Sequence, residues 1–411
     1  MTLEAAMDAD AVFAALDVRD RALCRAIVGI ALRRHGTIEE ILHRLIEKPP
    51  RHAGDLFAIL EIAAAQVLFM GTADHAAVSV AVDQIAADRD ARHFKGLANA
   101  VLRRVGRERD ALLTGIPDDA DAPAWLAARW RSAYGEETAG QIMAAHRIEP
   151  YLDLSVKGDP AAWAEKLGGV VLPTDSVRLV PSGPVEALAG YDEGAWWVQD
   201  AAAALPARLL GDIRGKHVAD LCAAPGGKTA ALANAGALVT AVDVSDARLA
   251  RVRENLARLK LTAETVAADV LAWQPDTTFD AILVDAPCTA TGTIRRHPDV
   301  AWLKRPGDVA MLATLQRRML ARAVAWLKPG GTLVFCTCSL EPEEGEAHVA
   351  DALANLPLTL LPVGTGEIGG LAEALRPDGT VRTLPSHLRR DTPRLSGLDG
   401  FFIARFRKSE M

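Results

Sequence analysis

Apolar residues recur three and four positions apart from about residue 17 to residue 109, as in Leu23, Ile27, Ile30 and Leu32 and then Ile38, Ile41, Leu42 and Leu45. That spacing lays a stripe along a 3.6-residue helix, and breaks at Pro49, Pro50 and Gly71 predict roughly five helices joined by short turns. The polar, proline-bearing stretch G-I-P-D-D-A-D-A-P (residues 115–123) reads as a boundary between domains. Two helical runs follow at 125–134 and 136–146, then a strand at 152–156, a helix at 160–167 and a strand at 170–172, which together read as a small α+β module. Within it Trp196 and Trp197 are adjacent, so in a strand they face opposite sides and at least one belongs to a core. From residue 206 the pattern changes again. Short apolar runs at 218–221, 238–242, 265–268, 281–284 and 331–336, the first three separated by helical segments such as 247–259, predict a doubly wound, mostly parallel sheet. Residues 399–408 read as a late antiparallel strand.

The chain of 411 residues is long enough for more than one domain with its own core. The longest apolar stretch, 56–70, is interrupted by Glu61 and Gln66 and is too short to cross a bilayer. The first ten residues carry acids where a signal peptide needs a basic region, so a soluble, cytoplasmic protein without membrane attachment is expected. Five cysteines without a repeating spacing fit reduced thiols better than a disulfide framework. A net charge of -7 argues against indiscriminate nucleic-acid binding, although local patches can overrule the total. Candidate patches are Arg103, Arg104, Arg107 and Arg109; Arg295, Arg296, Lys304 and Arg305; and Arg317, Arg318 and Arg322. The first and last fit solvated helix faces, whereas the middle run directly follows Cys288 and is the one expected to meet a nucleic-acid backbone.

Three strand ends carry the candidate chemistry. L-C-A-A-P-G-G-K-T (residues 221–229) ends like a phosphate loop, but that motif needs a glycine five positions before Gly227, where Cys222 stands. What remains is a turn of small residues from strand to helix, which lets a ligand approach the backbone. Asp243 closes the next strand, where an acid accepts hydrogen bonds from ribose hydroxyls, and Asp269 closes the third. A nucleoside-bearing ligand without a triphosphate is therefore expected, and S-adenosylmethionine fits, with Asp269 placed for its adenine amino group. Cys288, in V-D-A-P-C-T-A-T-G-T, and Cys338, in V-F-C-T-C-S-L, each follow an apolar strand-like run. An ordinary cysteine is a small buried hydrophobe, the reading that suits Cys24, Cys336 and Cys222.

Taken together, C-A-A-P-G-G-K-T, D-A-P-C with G-T-I-R-R-H-P-D, L-Q-R-R-M-L before L-K-P-G-G, and T-C-S-L-E-P-E-E resemble the Nop/Sun family of RNA cytosine-5 methyltransferases. The segments H-A-A-V-S-V-A-V-D (75–83) and F-K-G-L-A-N-A-V-L-R-R-V (94–105) resemble the closing helices of NusB-like RNA-binding domains. Departures from the family pattern occur at Ser79 and Val80, at Asp153 to Ser155, and at Thr289 and Ala290. The resemblance implies a multidomain chain. An all-α NusB-like RNA-binding domain spans 1–122, linker helices and the small α+β module 123–205, and an α/β Rossmann-like methyltransferase domain 206–411.

It implies S-adenosyl-L-methionine as cofactor, held by Cys222, Ala223, Ala224, Pro225, Gly226, Gly227, Lys228, Asp243, Arg248, Asp269 and Asp285. It assigns the attack on cytosine to Cys338 and assistance in release to Cys288. Asp285 holds the base, and Lys228 is a contact or proton acceptor beside donor and base. A thiolate is wanted because carbon 5 of cytosine is a poor nucleophile until a nucleophile has added at carbon 6. The base must be unstacked to expose that carbon. The implied partner is 16S ribosomal RNA or an early small-subunit particle, bound by a monomer that needs no metal. Rival readings are a cytosine-5 methyltransferase acting on tRNA, one acting on DNA, in which Cys288 would attack, and a non-catalytic RNA-binding factor.

Overall fold

The computed structural model describes residues 1–180 and 183–410. The chain forms two compact units, one of Met1–Arg147 together with His297–Leu303, the other of Ile148–Arg296 together with the chain from Lys304 on.

The first unit is helical. The five expected helices are Val18–Arg33, His35–Leu45, Leu56–Phe69, Asp74–Ala87 and Lys95–Arg107. Leu56–Phe69 is apolar apart from Glu61 and Gln66, and Leu56, Leu60, Ala64, Ala65 and Val67 are wholly buried, so it forms the centre about which the others pack. Two short helices that the hydrophobic pattern does not announce, Leu3–Ala9 and Ala11–Ala15, are started by the side chains of Thr2 and Asp10. The linker-like stretch 115–123 is packed within this unit. Asp121 accepts from the Thr37 backbone N–H at 2.9 Å and pairs with Arg34. Helices Ala124–Tyr134 and Glu136–His146 follow it. The segment 297–303 is secured here by the Leu3 N–H to Asp299 and by Trp302, whose indole donates to Leu32 O and meets the His35 ring edge-on.

The second unit contains two sheets. Strands β1 (Leu152–Val156), β2 (Val170–Val171), β3 (Val177–Leu179) and β4 (Trp196–Val198) pair antiparallel in the order β2-β3-β1-β4. Both tryptophans are interior. Trp196 packs with Leu154, Val177 and Leu179, and Trp197 on the opposite face packs with Leu249, Val252 and Leu256. Asp153 is buried and receives both Nε and an η nitrogen of the equally buried Arg178, at 2.6 and 2.7 Å. This family departure at position 153 thus belongs to the interior of the module.

The large sheet consists of β5 (His217–Leu221), β6 (Leu238–Asp243), β7 (Glu264–Ala267), β8 (Phe279–Asp285), β9 (Leu327–Thr337), β10 (Leu358–Leu360), β11 (Val381–Arg382) and β12 (Phe402–Lys408). Its order is β10-β12-β9-β8-β5-β6-β7, with β11 also on β12. β5 to β9 are parallel and β12 is antiparallel to β9, as expected for the last strand. Successive residues serve opposite cores: Val218, Leu283 and Val334 face one, and Ala219, Ile282, Val284, Leu333 and Phe335 the other. Burial on both faces explains the continuous apolar runs that mark these strands. β10 and β11 have three and two residues, too few to leave a periodic signal. Among the described residues no helix is long and apolar enough to cross a membrane.

Candidate active site

The order of strand addition reverses between β5 and β8: β6 and β7 are added on one side of β5, β8 and β9 on the other. In open α/β sheets such a switch leaves a crevice beyond the carboxyl ends of the strands. Register determines what lies there. Leu221 pairs with Val284 and Val242, and Asp285 pairs with Cys336, so the turns leaving β5, β6, β8 and β9 begin side by side. Phe402 opposite Thr337 brings Phe401 to the same edge.

A cavity of about 600 Å³ opens at this edge, lined by Ala223 to Lys228, Asp285, Cys338, Trp197, Gln199, Arg296 and Phe401 among others. Lys228 Nζ lies 2.7 Å from Asp285 Oδ2 and 5.1 Å from the centre of the Phe401 ring. Burial opposes the charge on Lys228, but the Asp285 carboxylate and the nearby sulfurs of Cys336 and Cys338 more than offset it and hold the ammonium above the usual lysine range. In this arrangement Lys228 donates to Asp285, and a role as proton acceptor would require the ion pair to be broken first.

The two candidate thiols, 50 residues apart in sequence, have their sulfurs 3.5 Å apart. Cys338 lines the cavity, and Cys288, half-buried like it, is not among the lining residues. The hydrogen bond to Cys338 is the main influence on Cys288. Together with burial and the charges of Cys338 and Glu344 it pushes the Cys288 thiol well above the ordinary range, so this sulfur keeps its proton. Cys336 is buried, contacts Asp285 Oδ1 at 3.4 Å and is also pushed well up by burial, in keeping with a packing role. The loops carrying the thiols touch through backbone. Gly292 N–H donates to Cys338 O at 2.9 Å and Gly400 N–H to Gly292 O at 2.8 Å, and a Cβ on Gly292 would lie 1.9 Å from Gly400 O.

The turn after β5 leads into the helix Gly227–Asn234 and includes a cis peptide before Pro225. Gly226 has φ +102°, and a Cβ there would press on Val252 at 3.1 Å, so a side chain is excluded on both counts. Asp243, buried at the end of β6, accepts from the Ala224 and Ser245 N–H groups. Arg248 bonds Ala224 O at 2.8 Å and approaches Asp243 at 3.3 Å. Cys222 has φ +63°, and burial raises its thiol. Asp269 lies two residues beyond β7, exposed, and accepts from Leu271 N–H. Beneath the turn Asp220 is wholly buried. Thr229 Oγ1 donates to its Oδ2 at 2.6 Å, whereas Oδ1 has no protein partner among the described residues. A turn of small residues, a helix start and a row of acids at successive strand ends fit a nucleoside-bearing sulfonium donor.

Asp220 also sets a pH dependence. Burial, reinforced by the charges of Asp285 and Asp243 and only partly opposed by Thr229, pushes its carboxyl up to about 7. The unfolded chain loses this proton near pH 4 and the folded chain near pH 7, so the group lowers stability as pH rises between those values, by up to about 4 kcal/mol. Asp220→Asn should therefore raise the melting temperature at pH 8 and leave it nearly unchanged at pH 4. An equal shift at both pH values contradicts the assignment.

The basic run after Cys288 requires a correction. Arg295 is 2% exposed and pairs with Asp200 and Asp399, both buried, so it is not available to an RNA backbone. Arg296 also bonds Asp399, and its partly exposed side chain lines the cavity. The attraction of two buried carboxylates outweighs hydration for Arg295, which no local charge count reveals. Arg103, Arg104, Arg107 and Arg109 form pairs along an exposed surface, the bland reading for that cluster. Sequence reasoning passed over Gln199, Phe401 and Glu344. The signals available were the polar Q-D pair closing β4, the aromatic pair opening β12 and the acid-rich end of T-C-S-L-E-P-E-E.

Residues 207–407 match the model of the family described as 16S rRNA methyltransferase RsmB/F, and residues 2–107 match the NusB family. The ribosomal RNA small subunit methyltransferase B of Cronobacter sakazakii is 35% identical over 95% of this chain and 91% of its own. The chain belongs to the RsmB/F family of methyltransferases. The protein of the same description from Vibrio cholerae is 38% identical over 82% of each chain. A methyltransferase homologue of known structure from Pyrococcus horikoshii is 30% identical, with a TM-score of 0.57 over 69% of this chain and 94% of that one. The RsmB/F family fold accounts for the mixed sheet, and the NusB match for the helical front.

Proposed function

We propose that the protein methylates carbon 5 of a cytosine in 16S ribosomal RNA through a covalent adduct with Cys338. The observation that carries this reading is the 3.5 Å pair of thiols at the ends of β8 and β9, beside the Lys228–Asp285 ion pair. S-adenosyl-L-methionine, held by the 222–228 turn, Asp243, Arg248, Asp269 and Asp285, supplies an electrophilic methyl group. The Cys338 sulfur, facing the cavity, gives its proton to solvent and adds as a thiolate to carbon 6 of an unstacked cytosine. The electron pair moved to carbon 5 takes the methyl group as its bond to the sulfonium sulfur breaks, and the donor leaves as a neutral thioether. Asp285 accepts from the exocyclic amino group, and from the ring nitrogen once that atom has taken up a proton from solvent as electron density reaches it, and Lys228 holds that carboxylate in place. Carbon 5 then gives its proton to a base from solvent, the 5,6 double bond reforms, and the carbon–sulfur pair returns to Cys338. Cys288 stays a thiol in this geometry and donates its hydrogen bond to the departing sulfur.

The test is bisulfite sequencing of 16S ribosomal RNA from a strain without the gene, before and after addition of the purified protein and methyl donor. One cytosine should regain protection. Unchanged ribosomal RNA with methylated tRNA or DNA favours the rival substrates, and no transfer to any nucleic acid favours a binding factor.

A further inference from the structure

Behind the thiols lies a carboxylate that the chemistry above does not use. Glu344 follows β9 by a short turn and is wholly buried. Its oxygens accept from the Thr289 N–H at 3.0 and 3.2 Å, from the Thr289 hydroxyl, from Ser339 Oγ at 2.6 Å and from Gln316 Nε2 at 3.0 Å. Thr289 is the residue after Cys288 and Ser339 the residue after Cys338, and their hydroxyls are 3.0 Å apart. Gln316, on the helix Pro306–Trp326, also donates to Pro287 O at 2.8 Å, one residue before Cys288. Its amide orientation is backed by His348, whose Nε2 lies 2.7 Å from Gln316 Oε1. Burial, with Arg317 nearby, lowers His348 to about 4, so at neutral pH it is an uncharged donor to that oxygen.

We propose that Glu344 is a positioning residue: its carboxylate ties Thr289 to Ser339 and thereby holds the Cys288 and Cys338 sulfurs within reach of each other. Every donor around it converges on an acceptor-only group. Glutamine in its place keeps one acceptor oxygen for Thr289 N–H and Gln316, and the Thr289 and Ser339 hydroxyls must turn to accept from its N–H₂. The charge-assisted bonds that tie the two loops are thereby lost, and one loop can withdraw more easily. Since Cys338 lines the cavity and Cys288 does not, withdrawal removes the hydrogen bond on which expulsion of the Cys338 sulfur relies, and leaves its addition to the base less affected. The Glu344 charge also helps keep Cys288 protonated. The catalytic part of this inference rests on the adduct chemistry proposed above, but the thiol geometry does not.

The experiment compares the full-length wild type with Glu344→Gln and Thr289→Val, using 16S ribosomal RNA and labelled methyl donor. Loss of hydrogen bonds to a charged group should lower turnover by about tenfold in Glu344→Gln. The share of protein held as a denaturation-resistant RNA adduct should rise, whereas a merely structural defect lowers adduct and product together. Independently of RNA, diamide takes two electrons and two protons from the thiols as the Cys288–Cys338 disulfide forms, and this closure should slow at least about fivefold. Thr289→Val, which loses only the hydroxyl, should shift all three readings the same way by less, and decides the matter if Glu344→Gln does not fold. Closure within twofold of wild type in both variants, or adduct falling with turnover, overturns the proposal. If the wild type forms no adduct the covalent chemistry itself is wrong, and the disulfide rate alone then decides the role of Glu344.

Discussion

Cys338→Ala should abolish methyl transfer, by at least about a thousandfold, while Cys288→Ala slows turnover and leaves protein bound to RNA. The asymmetry follows from position. Cys338 lines the cavity and its sulfur is the one that meets a base, so without it no adduct forms and carbon 5 is not activated. Cys288 is 3.5 Å away and outside the cavity lining, kept protonated by its bond to Cys338 and by burial, so its loss spares addition and handicaps departure. Denaturing gels of each variant with RNA and methyl donor separate the two effects. Retained activity in Cys338→Ala, with Cys288→Ala inactive and free of adduct, would reverse the assignment and match the arrangement of the DNA enzymes.

Asp399→Ala should destabilise the second unit by about 3–5 kcal/mol. Asp399 is wholly buried and accepts from Arg295 Nε at 3.0 Å and Arg296 Nε at 2.8 Å, and its own N–H donates to Asp200 at 3.1 Å. Removing the carboxylate takes from Arg295 one of its two buried aspartate partners, in a setting that water cannot reach, and the penalty is that of a buried charge left short of compensation. In thermal unfolding this corresponds to a fall of about 10 °C. Arg44→Ala, which breaks an exposed pair with Glu40, is the control and should cost less than about 1 kcal/mol. Equal shifts for the two variants would show that the buried cluster contributes no more than a surface pair.

The helical front and the strand–helix alternation were legible because each depends on neighbours within a turn or two. Leu23, Ile27 and Ile30 mark a helix by spacing alone, and the run at 281–284 marks a strand because β8 is covered on both faces. Boundaries were less legible: the apolar run begins at residue 331, whereas β9 starts at Leu327, before K-P-G-G, because Leu327 pairs with Phe279 of β8 ahead of the irregularity. Among site residues, Lys228, Asp285, Cys288 and Cys338 carried motif signals and meet in space. Gln316 and Glu344 also lie in quoted motifs, but their work was not legible, since Glu344 meets Thr289 and Gln316 from 55 and 28 residues away.

By itself the sequence determined which segments are helix or strand, that small residues must follow β5, and which acids and thiols stand at strand ends. Those are local matters of periodicity, side-chain size and backbone freedom. The tertiary structure alone decided that Asp285 pairs with Cys336, so that thiols 50 residues apart come within 3.5 Å. It also decided that Arg295 turns inward to Asp200 and Asp399 and away from solvent. Both outcomes depend on groups distant in sequence being brought together and removed from water, where burial makes a charge or a thiol choose its partner.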